Sequence, residues 1–473
     1  MTLRIHNTLS RATEIFTPIE PGHVRLYVCG ITIYDYCHMG HARFLIAFDV
    51  VQRWLKALGL RVTYVRNVTD IDDKIIRRSL ERNIPIRQLT DEMIAALHED
   101  ADKLFIERPT HEPRATQYVP QMLELIALLV ERGHAYAAED GSGDVYFDVQ
   151  SWPSYGELTR QKVDDMEAAE DADPRGKRDP RDFALWKGHK ESEPETASWA
   201  APWGRGRPGW HIECSAMAEK YLGPSFDIHG GGVDLRFPHH ENEQAQSRAA
   251  GHPFASYWMH NAWITTSGEK MSKSLGNSLV IPEVLKKVRG IELRFYMVGA
   301  HYRSHVEFSH QALEEAAVGW RRIENFLDRT AGPEPVVEPD SPVVEPVETW
   351  PQAFADAMDD DLGTPAAVAV LYDAVREGNR QLAAGESASA TAGQVRAMLD
   401  VLGLDPADPG WPTGGGADTK LTTAVDVLVA ALLERRTEAR AAKDFAAADA
   451  IRDRIKAAGI EIEDTPDGPK WSI

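Results

Sequence analysis

The sequence predicts an α/β fold built on a parallel sheet, with helical regions appended after it. Three observations lead there. Residues 23–30 form an apolar, strand-like run, a helical period takes over from Gly40, and residues 61–68 form a second apolar run. Strand, helix and strand at this spacing make a βαβ unit, the usual start of a parallel sheet. Residues 226–234 resume the strand pattern and end in Gly230, Gly231 and Gly232, whereas the pattern beyond about residue 281 is largely helical.

Each element has a local reason. In the first strand, Gly30 lets the backbone turn sharply. Leu45, Phe48, Val51, Leu55 and Leu58 then hold one helical face, and Gly59 suits the helix C-terminus. Residues 90–135 carry helical spacing, with Leu123, Leu125, Ile126, Leu129 and Val130 apolar. Residues 144–149 and the Pro- and charge-rich stretch to about Trp203 predict an inserted, mostly irregular module. Pro238 suits the first turn of a helix that carries His239, His240, Glu241, Asn242 and Glu243. Helical segments extend to about Arg329, and Pro-Val-Val-Glu-Pro then occurs twice, at 335–339 and 342–346, as an extended acidic linker. Helical regions follow at 352–402, 421–440 and 443–458. The last two have apolar stripes through Leu421, Val425, Leu428 and Leu432, and through Phe445, Ala448, Ile451 and Ile455.

Composition narrows the function. A chain of 473 residues, 43% hydrophobic, suffices for several cores and about three domains. No apolar run is long enough to cross a bilayer, and the first residues lack a secretory signal's apolar core. Three cysteines, Cys29, Cys37 and Cys214, make no disulfide framework and fit a reducing cytoplasm. With 52 Lys+Arg against 73 Asp+Glu, the formal net charge is -21, which argues against indiscriminate binding to DNA or other nucleic acid. A specific RNA partner met by a local basic patch stays open. Arg435, Arg436, Arg440, Lys443, Arg452, Arg454 and Lys456 form one such cluster near the C-terminus.

Two short motifs carry chemistry. His38-Met39-Gly40-His41 opens a helix directly after a strand, where backbone N–H groups favour phosphate. Lys270-Met271-Ser272-Lys273-Ser274 sits in a polar, Gly-bounded loop. Each motif alone arises easily by chance. Together they point to activation of a carboxylic acid with ATP, a reaction governed by positioning and charge stabilisation at phosphorus. His38 and His41 offer N–H donors, Gly40 lets the nucleotide lie close, Lys270 and Lys273 meet the β- and γ-phosphates, and Asp234 accepts from the ribose hydroxyls. The plainer readings are a capped helix and a solvated loop.

A second constellation has the donors of a metal site. His239 and Glu243 are four apart on the expected helix, Cys29 ends the first strand, and Cys214 precedes a helical run. Two thiolates, an imidazole and a carboxylate make a Zn²⁺ donor set. The same residues also read as two buried thiols and an exposed helical pair, and His211 and His240 compete as ligands.

At these residues the chain resembles the cysteinyl-tRNA synthetases, a class I aminoacyl-tRNA synthetase family. The likeness runs nearly end to end through residues 27–32, 35–41, 66–75, 206–215, 229–232, 237–243 and the lysine loop. The family's signature reads His-Ile-Gly-His, and here Met39 replaces the isoleucine. The resemblance implies one Zn²⁺ held by Cys29, Cys214, His239 and Glu243 that binds the thiolate of substrate cysteine, which excludes serine without editing. It implies an amino-acid pocket with Gly30, Thr32, Trp210 and His229, and the partners L-cysteine, ATP with Mg²⁺, and tRNA(Cys). Asp70, Asp72 and Asp73 resemble a recurrent family stretch, although capping and first-turn charge explain them equally well. Cys37 reads as a packing thiol.

Class membership further implies a Rossmann-type parallel-sheet catalytic domain in two halves, 1–135 and 204–329, around a connective module at 136–203. The linker at 330–350 departs from the usual pattern. A helical tRNA-binding domain at 351–405 and a small anticodon-recognition domain at 417–473, with Trp471, complete the expected chain. Two alternatives are a ligase of mycothiol synthesis that passes activated cysteine to an amino sugar, and a catalytically idle tRNA-binding paralogue.

Overall fold

The computed structural model describes residues 2–166, 176–266, 279–330 and 350–409, together with residues 269–270 and parts of 411–472. It divides into two compact units, Met1–Asp408 and Pro409–Ile473.

At the centre of the first unit is a four-stranded sheet. Strand β1 (His23–Thr32) leads through helix α1 (Met39–Ala57) to β2 (Arg61–Thr69). Helix α2 (Trp210–Leu222), β3 (Ser225–Gly232), α3 (Glu241–Ala249) and β4 (Phe254–Asn261) follow the insertion. The spatial order is β4-β3-β1-β2 and every neighbouring pair is parallel. Strands buried on both faces need continuous apolar runs, which Val24, Leu26, Tyr27 and Val28 supply in β1. The chain leaves β1 on one side to form β2 and returns on the other as β3. The carboxyl ends of β1 and β3 therefore flank a topological switch point, where such sheets bind ligands.

The βαβ expectation is met, with Gly59 at φ +80° just beyond α1. One expectation is refined and one corrected. Most of the inserted stretch is turn and loop, as expected, but Ala135–Ala137, Val145–Phe147, Phe183–Gly188 and Gly206–Pro208 form a four-stranded antiparallel sheet. Its charged and Pro-rich flanks hide the apolar run Phe183-Ala184-Leu185-Trp186, which is buried. The expected helix at Pro238 begins later, at Glu241, after a turn over Arg236–His240 in which Phe237 is extended. His239 thus stands on the lead-in to α3.

Helices Gly290–Val298, His310–Thr330, Gln352–Asp359, Thr364–Ala383 and Ser389–Val401 pack in the same unit as the sheet. A buried ion pair fastens them to α1. Arg294 pairs with Asp49 of α1 and donates to the carbonyls of Leu104, Phe105 and Leu402, at 3.1, 2.9 and 2.9 Å. In the second unit, Val429, Leu433 and Ile455 form a small core, and Glu461–Thr465 pairs antiparallel with Gly468–Ser472. The repeats at 335–346, the stripe positions Leu421, Val425 and Leu428, and Lys443 lie outside the described residues.

Arg294→Met leaves Asp49 charged and buried with only Arg53 opposite, so urea unfolding should show a loss of about 3–5 kcal/mol. Burial pushes Asp49 up, but Arg294 and Arg53 outweigh it and hold the carboxyl down at about 2. At Glu112, His98 and Arg66 likewise overcome burial and hold it at about 2. Both folded values lie below the ordinary carboxylate value of about 4, so their stabilisation is complete above that pH. Acid titration of unfolding free energy should show it disappearing as pH falls from about 4.5 towards 2.

Candidate active site

The signature motif shapes the start of α1. His38 is the N-cap, and its Nδ1 accepts the Gly40 N–H at 3.1 Å while His41 Nδ1 accepts the His38 N–H at 3.1 Å. The exchange satisfies N–H groups that a helix start leaves without partners. It also fixes the tautomers: when both Nδ1 atoms accept, both neutral rings carry their proton on Nε2. The rings stack with centroids 3.8 Å apart and line a cavity of about 640 Å³. A Cβ at Gly40 would lie 2.8 Å from His38 Cε1, so a larger residue there would push the His38 ring out of place.

Asp234 reaches the same cavity from the turn Val233–Leu235 after β3. Both ends of the lysine loop are attached nearby. At one end Lys270 pairs with Thr265 in the strand Ile264–Thr266, and Ile264 lines the cavity. At the other, Leu279 C=O accepts the Met39 N–H at 2.9 Å and Ile281 N–H donates to Cys37 C=O at 2.9 Å. The Lys270 side chain and residues 271–278, Lys273 included, lie outside the described residues. Cys37 is buried and in no disulfide, as expected of a packing thiol.

At the switch point Cys29, Cys214, His239 and Glu243 converge, each buried, with one donor atom apiece all within 4.8 Å of one another. Cys29 Sγ lies 3.1 Å from Glu243 Oε1, and His239 Nε2 is 3.1 Å from the same oxygen. Burial drives the Cys29 thiol far up, raises Cys214 and pushes His239 down to about 3. Burial alone would also raise Glu243, but His229 and His239 hold it below its usual value. Without a cation this is a carboxylate amid neutral soft donors. Two sulfurs, one imidazole nitrogen and one carboxylate oxygen match the count and types of a tetrahedral zinc site.

A second grouping, Cys29, His229, His240 and Glu243, satisfies the same distances. Cys29, shared by both groupings, is the one member of either that lines the cavity, and in the second grouping His229 and His240 pack against Trp258, at 4.4 and 5.4 Å between centroids. His211 belongs to neither set. Its Nδ1 lies 2.9 Å from His239 Nδ1, so it helps to orient the ring of a candidate ligand.

Gly30, Thr32 and Trp210 line the cavity beside Cys29, and the Trp210 ring stacks on His239 at 4.2 Å. His229 is not among the lining residues. Its Nε2 is 2.9 Å from Glu243 Oε2, which places it behind a candidate ligand. Of the acidic stretch, Asp72 caps a helix by accepting the Lys74 N–H at 2.8 Å, Asp73 pairs with Arg207 and Lys187, and Asp70 accepts from Thr116 N–H and Oγ1.

Sequence reasoning misses Asn67 as a part of the site. Its Oδ1 accepts the Gly30 N–H at 2.8 Å and lies 3.7 Å from the Cys214 thiol. A polar residue inside an otherwise apolar strand is the available signal. Lys74, Arg77 and Arg78, three cations at helical spacing that line the cavity, are missed as well.

Comparisons with known proteins identify the family. The family model described as tRNA synthetases class I (C) catalytic domain matches residues 15–318, the DALR domain matches 353–405, and the cysteinyl-tRNA ligase anticodon binding domain matches 423–471. A cysteine–tRNA ligase of a Nocardioides species is 64% identical over all of both chains. One from Cutibacterium acnes is 54% identical over 100% of this chain and 97% of its own. Among solved structures, Mycobacterium tuberculosis methionyl-tRNA synthetase bound by methionyl-adenylate shares the fold, with TM-score 0.57, 13% identity, and 81% of this chain and 92% of that one covered. An Agrobacterium radiobacter LeuRS–tRNA ternary complex gives TM-score 0.58 at 11% identity, over 83% and 85%. The mycothiol-pathway alternative is not favoured by these relatives. With identity this high over the full length and the class I catalytic domain matched, the chain belongs to the cysteine–tRNA ligase family of class I aminoacyl-tRNA synthetases.

Proposed function

We propose that the family's reaction, ATP-dependent ligation of cysteine to tRNA, takes place in the cavity at the switch point, with the residue roles that follow. The observation that carries this reading is Cys29, which belongs to the four-donor cluster and also lines the cavity bounded by His38 and His41. Amino-acid selection and phosphorus chemistry thus share one wall.

In the first step the cysteine carboxylate attacks the α-phosphorus of ATP·Mg²⁺. An acyl–phosphate bond forms, and pyrophosphate leaves with the electron pair of the broken P–O bond. The Nε2–H groups of His38 and His41 donate to phosphate oxygens whose charge grows along the way. Gly40 leaves room for the nucleotide, Asp234 accepts from the ribose, and Lys270 and Lys273 carry positive charge to the departing pyrophosphate. In the second step the 2′-hydroxyl of the tRNA's terminal adenosine attacks the acyl carbon and AMP leaves.

Cys29, Cys214, His239 and Glu243 would hold Zn²⁺, since the imidazole of this set is stacked by Trp210, which lines the cavity beside Cys29. When bound, zinc supplies a soft site for a substrate thiolate, which a serine hydroxyl cannot match. Trp210 covers His239, Thr32 and Gly30 line the space for the amino acid, and His229 acts at one remove by orienting the Glu243 carboxylate. The regions at 351–405 and 417–473 serve tRNA binding, the latter at the anticodon. No helix among the described residues is long and apolar enough to cross a membrane. Three buried cysteines, none of them in a disulfide, suit work in the reducing cytoplasm.

Cysteine-dependent pyrophosphate exchange tests the first step, and its absence in zinc-replete protein would refute it. His41→Ala and Lys273→Ala should lower kcat by about 10²-fold or more with little change in cysteine affinity, because their contacts strengthen only in the transition state. Equal losses in both would contradict that assignment. Metal analysis of the purified chain should find one zinc, retained in His240→Ala and lost in Cys214→Ala. A metal-free, folded chain that still prefers cysteine to serine would remove the selection mechanism.

A further inference from the structure

The roles proposed above leave one wall of the reaction cavity unassigned. It is a face of the helix Asp73–Arg82, from which Lys74, Arg77, Arg78 and Glu81 line the space. Ile75, Ile76 and Ser79 are buried on the other side, so spacings of three and four residues gather the cations on one face. In a chain of net charge -21, such a face ordinarily finds carboxylates.

Here the first two acids of the helix are engaged elsewhere, and Glu81 is the acid that shares the face. Asp72 caps the helix, and Asp73 is held by Lys187 at 3.0 Å and by the buried Arg207, both on strands of the inserted sheet. These two pairs fasten the first turn of the helix to the insertion. Arg78 has only Glu81, at 3.4 Å and exposed, an arrangement that contributes little. Lys74 Nζ lies 5.9 Å from the Tyr34 ring centroid, and Arg77 has no hydrogen bond or ion pair among the described residues. Three cations beside a reaction space, with one weak partner between them, are a binding surface for a polyanion.

We propose that Lys74, Arg77 and Arg78 bind the phosphodiester backbone at the 3′ end of the RNA that accepts the cysteine. The proposal rests on the ligase reading above. Phosphate is the ligand chemistry, and it has two sources in this reaction, the ATP tail and the RNA strand. The ATP tail is served by the start of α1 and by the lysine loop, which are bonded to each other through Met39 and Leu279. The helix Asp73–Arg82 is bonded instead to the insertion. Guanidinium and ammonium groups on a half-exposed helix suit a strand that arrives and leaves at every turnover, since phosphate contacts position a nucleic acid without reading its bases.

The test compares the two half-reactions in the full, metal-loaded chain. Arg77→Gln and Lys74→Ala/Arg77→Ala should raise KM for tRNA severalfold in charging assays. The dependence of log KM on log salt should flatten by about 0.7 for each single-strand phosphate that the variant no longer neutralises. KM for ATP and cysteine in pyrophosphate exchange, measured without tRNA on the same preparations, should stay unchanged, which also shows that the variants fold. Arg77→Lys should recover most of the loss, because backbone phosphate needs charge more than a planar fork. A rise in KM for ATP in exchange would assign the wall to the nucleotide and overturn the proposal, as would unaltered charging at sub-saturating tRNA. An unmodified chain without exchange activity would instead refute the ligase reading itself.

Discussion

The site depends on the close approach of β1 to β2 at Gly30. The pairing register between these strands shifts between Val28 and Ile31, so Cys29 and Gly30 fall outside the regular ladder. A Cβ on Gly30 would stand 1.6 Å from the Asn67 carbonyl oxygen, a distance no side chain tolerates. The amide that the ladder leaves over is taken by the Asn67 side chain. One asparagine therefore repairs a broken sheet, and the same oxygen approaches the Cys214 thiol. Cys29 meets residues from α2 and α3 at this interruption, and the ladder resumes at Ile31 and Thr32.

The electrostatics of the centre follow from burial. Thiols raised by desolvation and an imidazole lowered by it give a pocket in which neutral donors surround one carboxylate. Such a pocket favours a cation with an appetite for sulfur and nitrogen over one that prefers oxygen. The helix start beside it works differently. There two imidazoles are locked by backbone N–H groups, which turns flexible side chains into fixed donors before any substrate arrives.

Local features are legible in the sequence. The β1–α1–β2 unit and the end of α1 near Gly59 follow from periodicity and turn chemistry. So does the pairing of His239 with Glu243, although the helix begins two residues after the histidine and the pair survives because the lead-in turn keeps the two side chains together. What stays hidden is set by distant contacts. The strand Phe183–Gly188 looks irregular because its neighbours are polar, yet it completes a sheet with residues some forty positions earlier. His239 packs against Trp210 and the neighbouring His240 against Trp258. No spacing along the chain encodes those contacts.

Arg294 joins three stretches of chain, α1 through Asp49, the segment at Leu104 and Phe105, and the end of the helical region at Leu402. The fit is shaped as well as charged: Gly403 has φ +64°, and a Cβ there would lie 2.2 Å from the guanidinium. The helix that starts with the signature motif and the helices some three hundred and fifty residues later are cut to the same arginine. A chimera that exchanges the region after residue 350 with a distant relative inherits that socket or loses it. Modularity along this chain ends where the guanidinium sits, whatever the sequence boundaries between its homology segments suggest.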